Sequence, residues 1–222
     1  MRPIRARLNL RGPALTDAEW IRYAYALCRE RGMTEAGAQM AVAQGWAESW
    51  LGVRKPFLLA DGSPSFNWGA TTAKAGVPFF TGGDKNASGA PIVQRWARWP
   101  SMAEGLDYWL SFGSVRAGLA AMQEGDAVLY AAILFDRGYY TGVNCARAEC
   151  VRAYASWLEG TTRNKIASAL GVPSLVNKGG DIPASTGGIK QGTLPNRGKT
   201  GVGPIAIAFA LGGLYLVRKV IS

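Results

Sequence analysis

Histidine is absent from all 222 residues. That absence excludes Ser-His and Cys-His nucleophile pairs and any His-ligated zinc site. Acid–base chemistry must therefore rest on carboxylates, Tyr, Lys or Cys, and neither a metal nor a cofactor is expected. Cysteine is scarce, at Cys28, Cys145 and Cys150. Three reduced thiols is the ordinary expectation, although Cys145 and Cys150 are close enough in sequence for a small local bridge. Acidic residues are missing from the first 11 positions, which carry Arg2, Arg5, Arg7 and Arg11. They are nearly missing from 161–222, where eight Lys/Arg face only Asp181. The stretch between, 12–160, balances 13 Lys/Arg against 14 Asp/Glu, so the net charge of +10 sits at the two ends. A nucleic-acid-binding domain would carry its basic stripe on the folded body. No nucleic acid is expected as a partner, and tethering to an anionic surface fits better. The basic start is followed by no apolar run of roughly 7–15 residues, so a secretory signal is not expected.

What is present suits a packed core: 48% hydrophobic residues and eight Trp. Helices are predicted over about 17–31, 35–51, 102–111, 115–123, 126–137 and 146–169. Thr16 or Asp17, Thr34 and Ser101 serve as starts, and Gly32 and Gly52 as stops. Residues 53–100 are rich in Gly, Pro and aromatics and read as loops with a small hairpin lobe. The fold expected is mainly α with one irregular lobe inserted early. From 171 to 200 the composition turns to Gly, Pro, Ser, Thr and Lys with no period, a flexible linker. Residues 201–217 hold no charge. Bounded by Lys199, Arg218 and Lys219, they suit a short membrane-spanning helix within 201–222, for which the lower limit is about 17 residues. Residues 1–15 make a basic arm and 16–170 the folded domain.

The chemistry concentrates in 41–52, AVAQGWAESWLG. Gln44 and Glu48 share a helix face at i, i+4. Glu48 sits one turn from the helix C-terminus. There the negative end of the dipole and partial burial against Trp both favour the protonated acid, as cleavage of a glycoside requires. Further on stand Phe66-Asn67-Trp68-Gly69, then Arg98-Trp99-Pro100-Ser101, then Gly138-Tyr139-Tyr140-Thr141. Trp46, Trp50 and Trp96 are expected in the core. Trp68 and Trp99, in loops, suit either core or a sugar face.

In these four elements, taken in order, the chain resembles glycoside hydrolase family 73. These are N-acetylglucosaminidases of the flagellar-hydrolase and autolysin type, in the lysozyme-like superfamily. The resemblance covers about 36–160 and implies a lysozyme-like α+β domain that cuts the glycan of peptidoglycan. It implies that Glu48 is the catalytic acid, with Tyr139 as a helper and Gln44, Asn67, Trp68, Gly69, Trp99 and Tyr140 around the substrate. The family's G-Y-x-T turn usually continues with Asp, where Gly142 stands. No motif places a second carboxylate, for which Asp61 and Asp84 are the candidates. A lytic transglycosylase, which manages with one Glu, is the nearest alternative. A wall-binding virion protein without activity is another. The expected partners are peptidoglycan, a lipid membrane at 201–219 and virion proteins. Peptidoglycan lies outside the cytoplasmic membrane and no export signal is expected. The location that fits is the membrane of a phage particle, with the bacterial envelope as the alternative.

Overall fold

The computed structural model describes residues 15–85, 90–142, 145–177 and 179–185, and two later strands, Ile205–Ala208 and Tyr215–Arg218. Helix α1, Asp17–Glu30, opens on a capping box: the Glu19 amide donates to Thr16 Oγ1 at 3.3 Å and the Thr16 amide to Glu19 Oε2 at 2.7 Å. Its stripe of Trp20, Ala24, Leu27 and Cys28 is buried against α2, Glu35–Ser49. That second helix carries no charge between Glu35 and Glu48, and nearly all of it from Gly37 to Ser49 is buried. Its many Ala and Gly allow neighbours close on every side, so it becomes the axis of the domain.

The lobe expected between the early helices and the later ones is a hairpin. Strand β1, Phe79–Lys85, pairs antiparallel with β2, Pro91–Ala97, with Phe80 opposite Trp96. A small second core of Phe57, Ala70 and Trp96, with Phe80 and Phe112 against it, joins this lobe to the helices. Then come α3, Met102–Leu110, and two short helices, α4, Gly113–Ala117, and α5, Leu119–Glu124. A single helix was expected over 115–123; it is divided at Gly118, whose backbone leaves the helical ψ. Helix α6, Ala127–Asp136, turns through β3, Thr141–Gly142, into α7, Arg147–Thr161. A π-helical stretch, Thr162–Ala167, and a last turn, Ser168–Leu170, follow and pack back on α2 and α1.

The start of α7 is tied down firmly. Cys145 and Cys150 are bridged, contrary to the expectation of three free thiols, while Cys28 stays free and buried. Arg147 places two nitrogens on Asp136, at 2.7 and 2.8 Å, and a third on the Pro183 carbonyl at 2.9 Å.

The stretch expected as linker begins as part of the body. Gln39, buried in α2, donates to the Pro173 carbonyl at 3.0 Å and accepts from the Leu175 amide at 2.8 Å. Asn177 exchanges backbone bonds with Gly125 and Ala127. Polar composition hid this strap, which is held by Val176 in the core and by backbone bonds to Gln39, Gly125 and Ala127. The rest of the expected linker, from 186 to 200, lies outside the described residues. The expected C-terminal helix is described only at Ile205–Ala208 and Tyr215–Arg218. Both are strands, paired with each other, and the second also pairs with Thr141–Gly142. Gly212 and Gly213 divide that apolar run, and Ile205, Ile207 and Val217 favour strands. Among the described residues no helix is long and apolar enough to cross a membrane.

Replacing Gln39 by Ala removes two anchors of the strap and leaves the part-buried Pro173 carbonyl and Leu175 amide without them. Stability to urea is expected to fall by about 1–3 kcal/mol, with proteolytic cleavage appearing within 171–177. An unchanged cleavage pattern would contradict the docking of the strap.

Candidate active site

Helix α2 ends abruptly. Trp50 (φ 48°) and Leu51 (φ 57°) are left-handed, and Gly52 (φ 72°) follows. The two other non-glycine residues with positive φ among the described residues are Phe66 (φ 50°) and Ala70 (φ 47°), which flank the Asn67-Trp68-Gly69 loop. Backbone strain of this kind persists only where the surroundings enforce it, and here it brackets one spot.

The enforcing contacts are polar and buried. Ser49 Oγ lies 2.6 Å from the Asn67 carbonyl, to which it donates, and accepts from the Gly69 amide at 3.1 Å. Asn67 spends its whole amide on backbone and loop. Nδ2 donates to the carbonyls of Thr71 (2.8 Å) and Ala97 (2.9 Å), and Oδ1 accepts from the Thr71 amide (2.6 Å) and hydroxyl (2.9 Å). The loop is thereby riveted to the helix end and to β2.

Glu48 occupies the space this leaves, 5% exposed. Three donors reach it from three parts of the chain. Gln44 Nε2, one turn back on α2, lies 3.1 Å from Oε1. The Tyr154 hydroxyl, from α7, lies 2.6 Å from the same oxygen. The Tyr139 hydroxyl, from the turn before β3, lies 3.0 Å from Oε2 and accepts from Trp109 Nε1 at 3.1 Å. Behind Gln44, the Tyr130 hydroxyl donates to its Oε1 at 2.7 Å. Burying a charged carboxylate costs several kcal/mol. Three hydrogen bonds to it, at about 1.5–3 kcal/mol each, offset a cost of that size. Gly69 has to be glycine: at φ 71°, a Cβ there would stand 2.7 Å from the Trp109 ring and 3.2 Å from Glu48 Oε2.

Of the residues expected around Glu48, Gln44, Tyr139 and Gly69 meet it. Asn67 and Trp68 were expected to line a sugar site. They are fully buried, Asn67 as the loop's fastener and Trp68 against Trp109 with centroids 6.0 Å apart. Tyr140 is buried too. Its hydroxyl donates to the Ala131 carbonyl at 2.9 Å and its ring stacks on Tyr154 at 4.3 Å. Trp99 is half-buried on Tyr108, centroids 4.6 Å apart. Trp46 and Trp96 are in the core as expected, but Trp50 is 40% exposed, because the left-handed turn swings it outward. Asp61 stands on an exposed turn. The hydroxyl and amide of Ser63 hold its carboxyl below the usual range. Asp84 lies in β1, opposite Ile92.

Tyr154, Tyr130 and Trp109 were not foreseen. Tyr154 shares the apolar stripe of α7 with Val151, Ala155 and Leu158 and reads as core. The available signal was its hydroxyl, since a tyrosine on a buried stripe needs a polar partner.

No family model matches the chain, and neither does any curated protein. Among solved structures it is similar to the glycoside hydrolase domain of FlgJ from Salmonella typhimurium. That match is 19% identical and spans 71% of this chain and 92% of the other, with a TM-score of 0.47. It is also similar to a mutant peptidoglycan hydrolase from Sphingomonas sp. A1, 15% identical over 69% and 97%, with a TM-score of 0.45. The catalytic domain of the autolysin Auto from Listeria monocytogenes is 18% identical over 72% and 89%, with a TM-score of 0.43.

Asn67→Ala is expected to lower unfolding stability by on the order of 3 kcal/mol, because two buried carbonyls and a buried amide lose their partner. Chemical denaturation measures it; a loss below about 1 kcal/mol would mean that Asn67 does not fasten the loop.

Proposed function

We propose that this chain is a glycoside hydrolase that cuts the glycan strand of peptidoglycan, with Glu48 as its general acid. One observation carries the reading: a single glutamate, nearly buried at a helix end, with Tyr139 on one oxygen and Gln44 on the other. A surface glutamate needs no such housing. A carboxyl that must hold a proton and release it to a substrate does.

In the proposed reaction the Glu48 carboxyl gives its proton to the glycosidic oxygen. The bond from that oxygen to the anomeric carbon breaks, and positive charge develops on the sugar ring. A water then adds to the anomeric carbon and releases a proton to solvent, from which Glu48 is reprotonated, and a reducing sugar end is left. The Tyr139 hydroxyl, beside the acid, orients that water. Asp61, ionised on its exposed turn, is a weaker candidate for this task, since it is already engaged by Ser63. Trp50, exposed two residues beyond the acid, offers a flat face for a sugar ring.

Wild-type protein is expected to clear a peptidoglycan zymogram, and Glu48→Gln to lose activity by about 10²–10⁴-fold. Mass spectrometry of the released muropeptides is expected to show hydrolysed reducing ends. Anhydro ends would assign the chain to the lytic transglycosylases. Full clearing by Glu48→Gln would remove Glu48 as the acid, and no clearing by the wild type would favour a wall-binding module.

A further inference from the structure

The hairpin lobe is the basic part of the folded body. Residues 53–100 hold six Lys/Arg against Asp61 and Asp84, while the rest of 12–160 holds seven against twelve Asp/Glu. The strand register sorts the hairpin's side chains onto two faces. Phe80 and Trp96 turn inward onto Phe57, and Asp84, the one acid in either strand, shares their face. The other face consists of Phe79, Thr81 and Gly83 on β1 and Pro91, Val93 and Arg95 on β2. All six are exposed, Val93 to 78%. The strand Ile205–Ala208 lies near β1, and Phe79, Thr81 and Gly83 are exposed with it in place. This outer face therefore joins a cation to apolar surface and carries no acid.

Arg95 is set up to receive an anion. Its guanidinium lies 3.6 Å from the centre of the Phe79 ring, its diagonal neighbour across the strands, and Thr81 stands directly opposite it. Among the described residues no carboxylate pairs with Arg95. A guanidinium stacked by one face keeps its N–H edge for two parallel bonds to a carboxylate. A Cβ at Gly83 would meet nothing within 4 Å, so a bound chain has room to lie along β1 there. The same end of the hairpin is fixed to the site. Ala97, opposite Phe79, accepts from Asn67 Nδ2 at 2.9 Å and donates to the Thr71 carbonyl at 3.0 Å. Asn67 is two residues before Gly69, which lies beside Glu48. Arg95 stands about 7 Å along β2 from that fixed end.

We propose that the outer face of the hairpin, centred on Arg95, binds the peptide stems of peptidoglycan by their free carboxylates while the glycan lies at Glu48. The proposal rests on the reading of peptidoglycan as the substrate and adds which part of it the lobe holds. The stems hang from alternate sugars, are short and alanine-rich, and carry free carboxylates. Such a chain presents an anion to Arg95 and methyl groups to Phe79 and Val93. A phosphate polymer calls instead for a row of cations along its path, whereas Arg95 sits among apolar neighbours and a threonine.

The test is kcat/KM of the full chain on peptidoglycan glycan strands with their stems and on bare strands from which an amidase has removed them. The wild type is expected to prefer the stemmed strands by about five- to tenfold, a preference that weakens as salt is raised. In Arg95→Gln the preference is expected to fall to near unity. Equal rates on both strands for the wild type, or a preference untouched by Arg95→Gln, would overturn the proposal. NMR of the full chain, titrated with a free stem peptide or with the same peptide amidated at its carboxyls, reads binding without turnover. The free acid is expected to shift the Arg95 side-chain N–H signal and the amidated peptide to leave it in place. Equal shifts from both, or a shift from poly(glycerol phosphate) and none from the peptide, would count against the stems as ligand and overturn the proposal. Peptide binding at Arg95 in a protein that cuts neither strand would refute the hydrolase reading and keep the proposal; cutting with no peptide bound would do the reverse.

Discussion

Glu48 is held out of water by three side chains that lie far apart in the chain. Its nearest donor, Gln44, is four residues away, while Tyr139 and Tyr154 are 91 and 106 residues away. A carboxylate in such a place must be partnered or it destabilises the fold. The helices that supply the partners must therefore meet at the end of α2. The small residues of α2, the bridge and ion pair at the start of α7, and the turn between α6 and α7 all serve that meeting.

The second constraint is the loop across the end of α2. Ser49 and Asn67 replace the regular backbone pairing that the chain loses where the helix stops, and four left-handed residues mark the strain they contain. Fixing the loop in this way keeps Gly69 over Glu48 Oε2 and the Trp109–Tyr139 pair beside it. Site and scaffold share residues here: Trp109 is fully buried core and also the donor that orients Tyr139.

Much of this arrangement was legible in the sequence. Helical spacing put Gln44 and Glu48 on one face, capping signals gave the starts of α1, α2 and α3, and the Gly- and Pro-rich stretch gave the hairpin lobe. Other features depend on tertiary contact and carry weak local marks. Asn67 and Trp68 look exposed because loops usually are, yet this loop folds inward and closes its own polar groups. Trp50 looks apolar and therefore buried, but the turn after Ser49 reverses the helix's facing. Tyr154 looks like one more core residue, because nothing local shows that its hydroxyl meets a glutamate 106 positions earlier. The strap at 171–177 has a linker's composition and is held by main-chain atoms and one buried side chain, Val176.

The central claim is that Glu48 delivers a proton to a glycosidic oxygen. A crystal structure of the Glu48→Gln variant with a peptidoglycan glycan fragment tests it most directly. The account predicts the glycosidic oxygen within about 3 Å of the side chain at position 48. A fragment bound with its glycosidic oxygens out of reach of that side chain would contradict it.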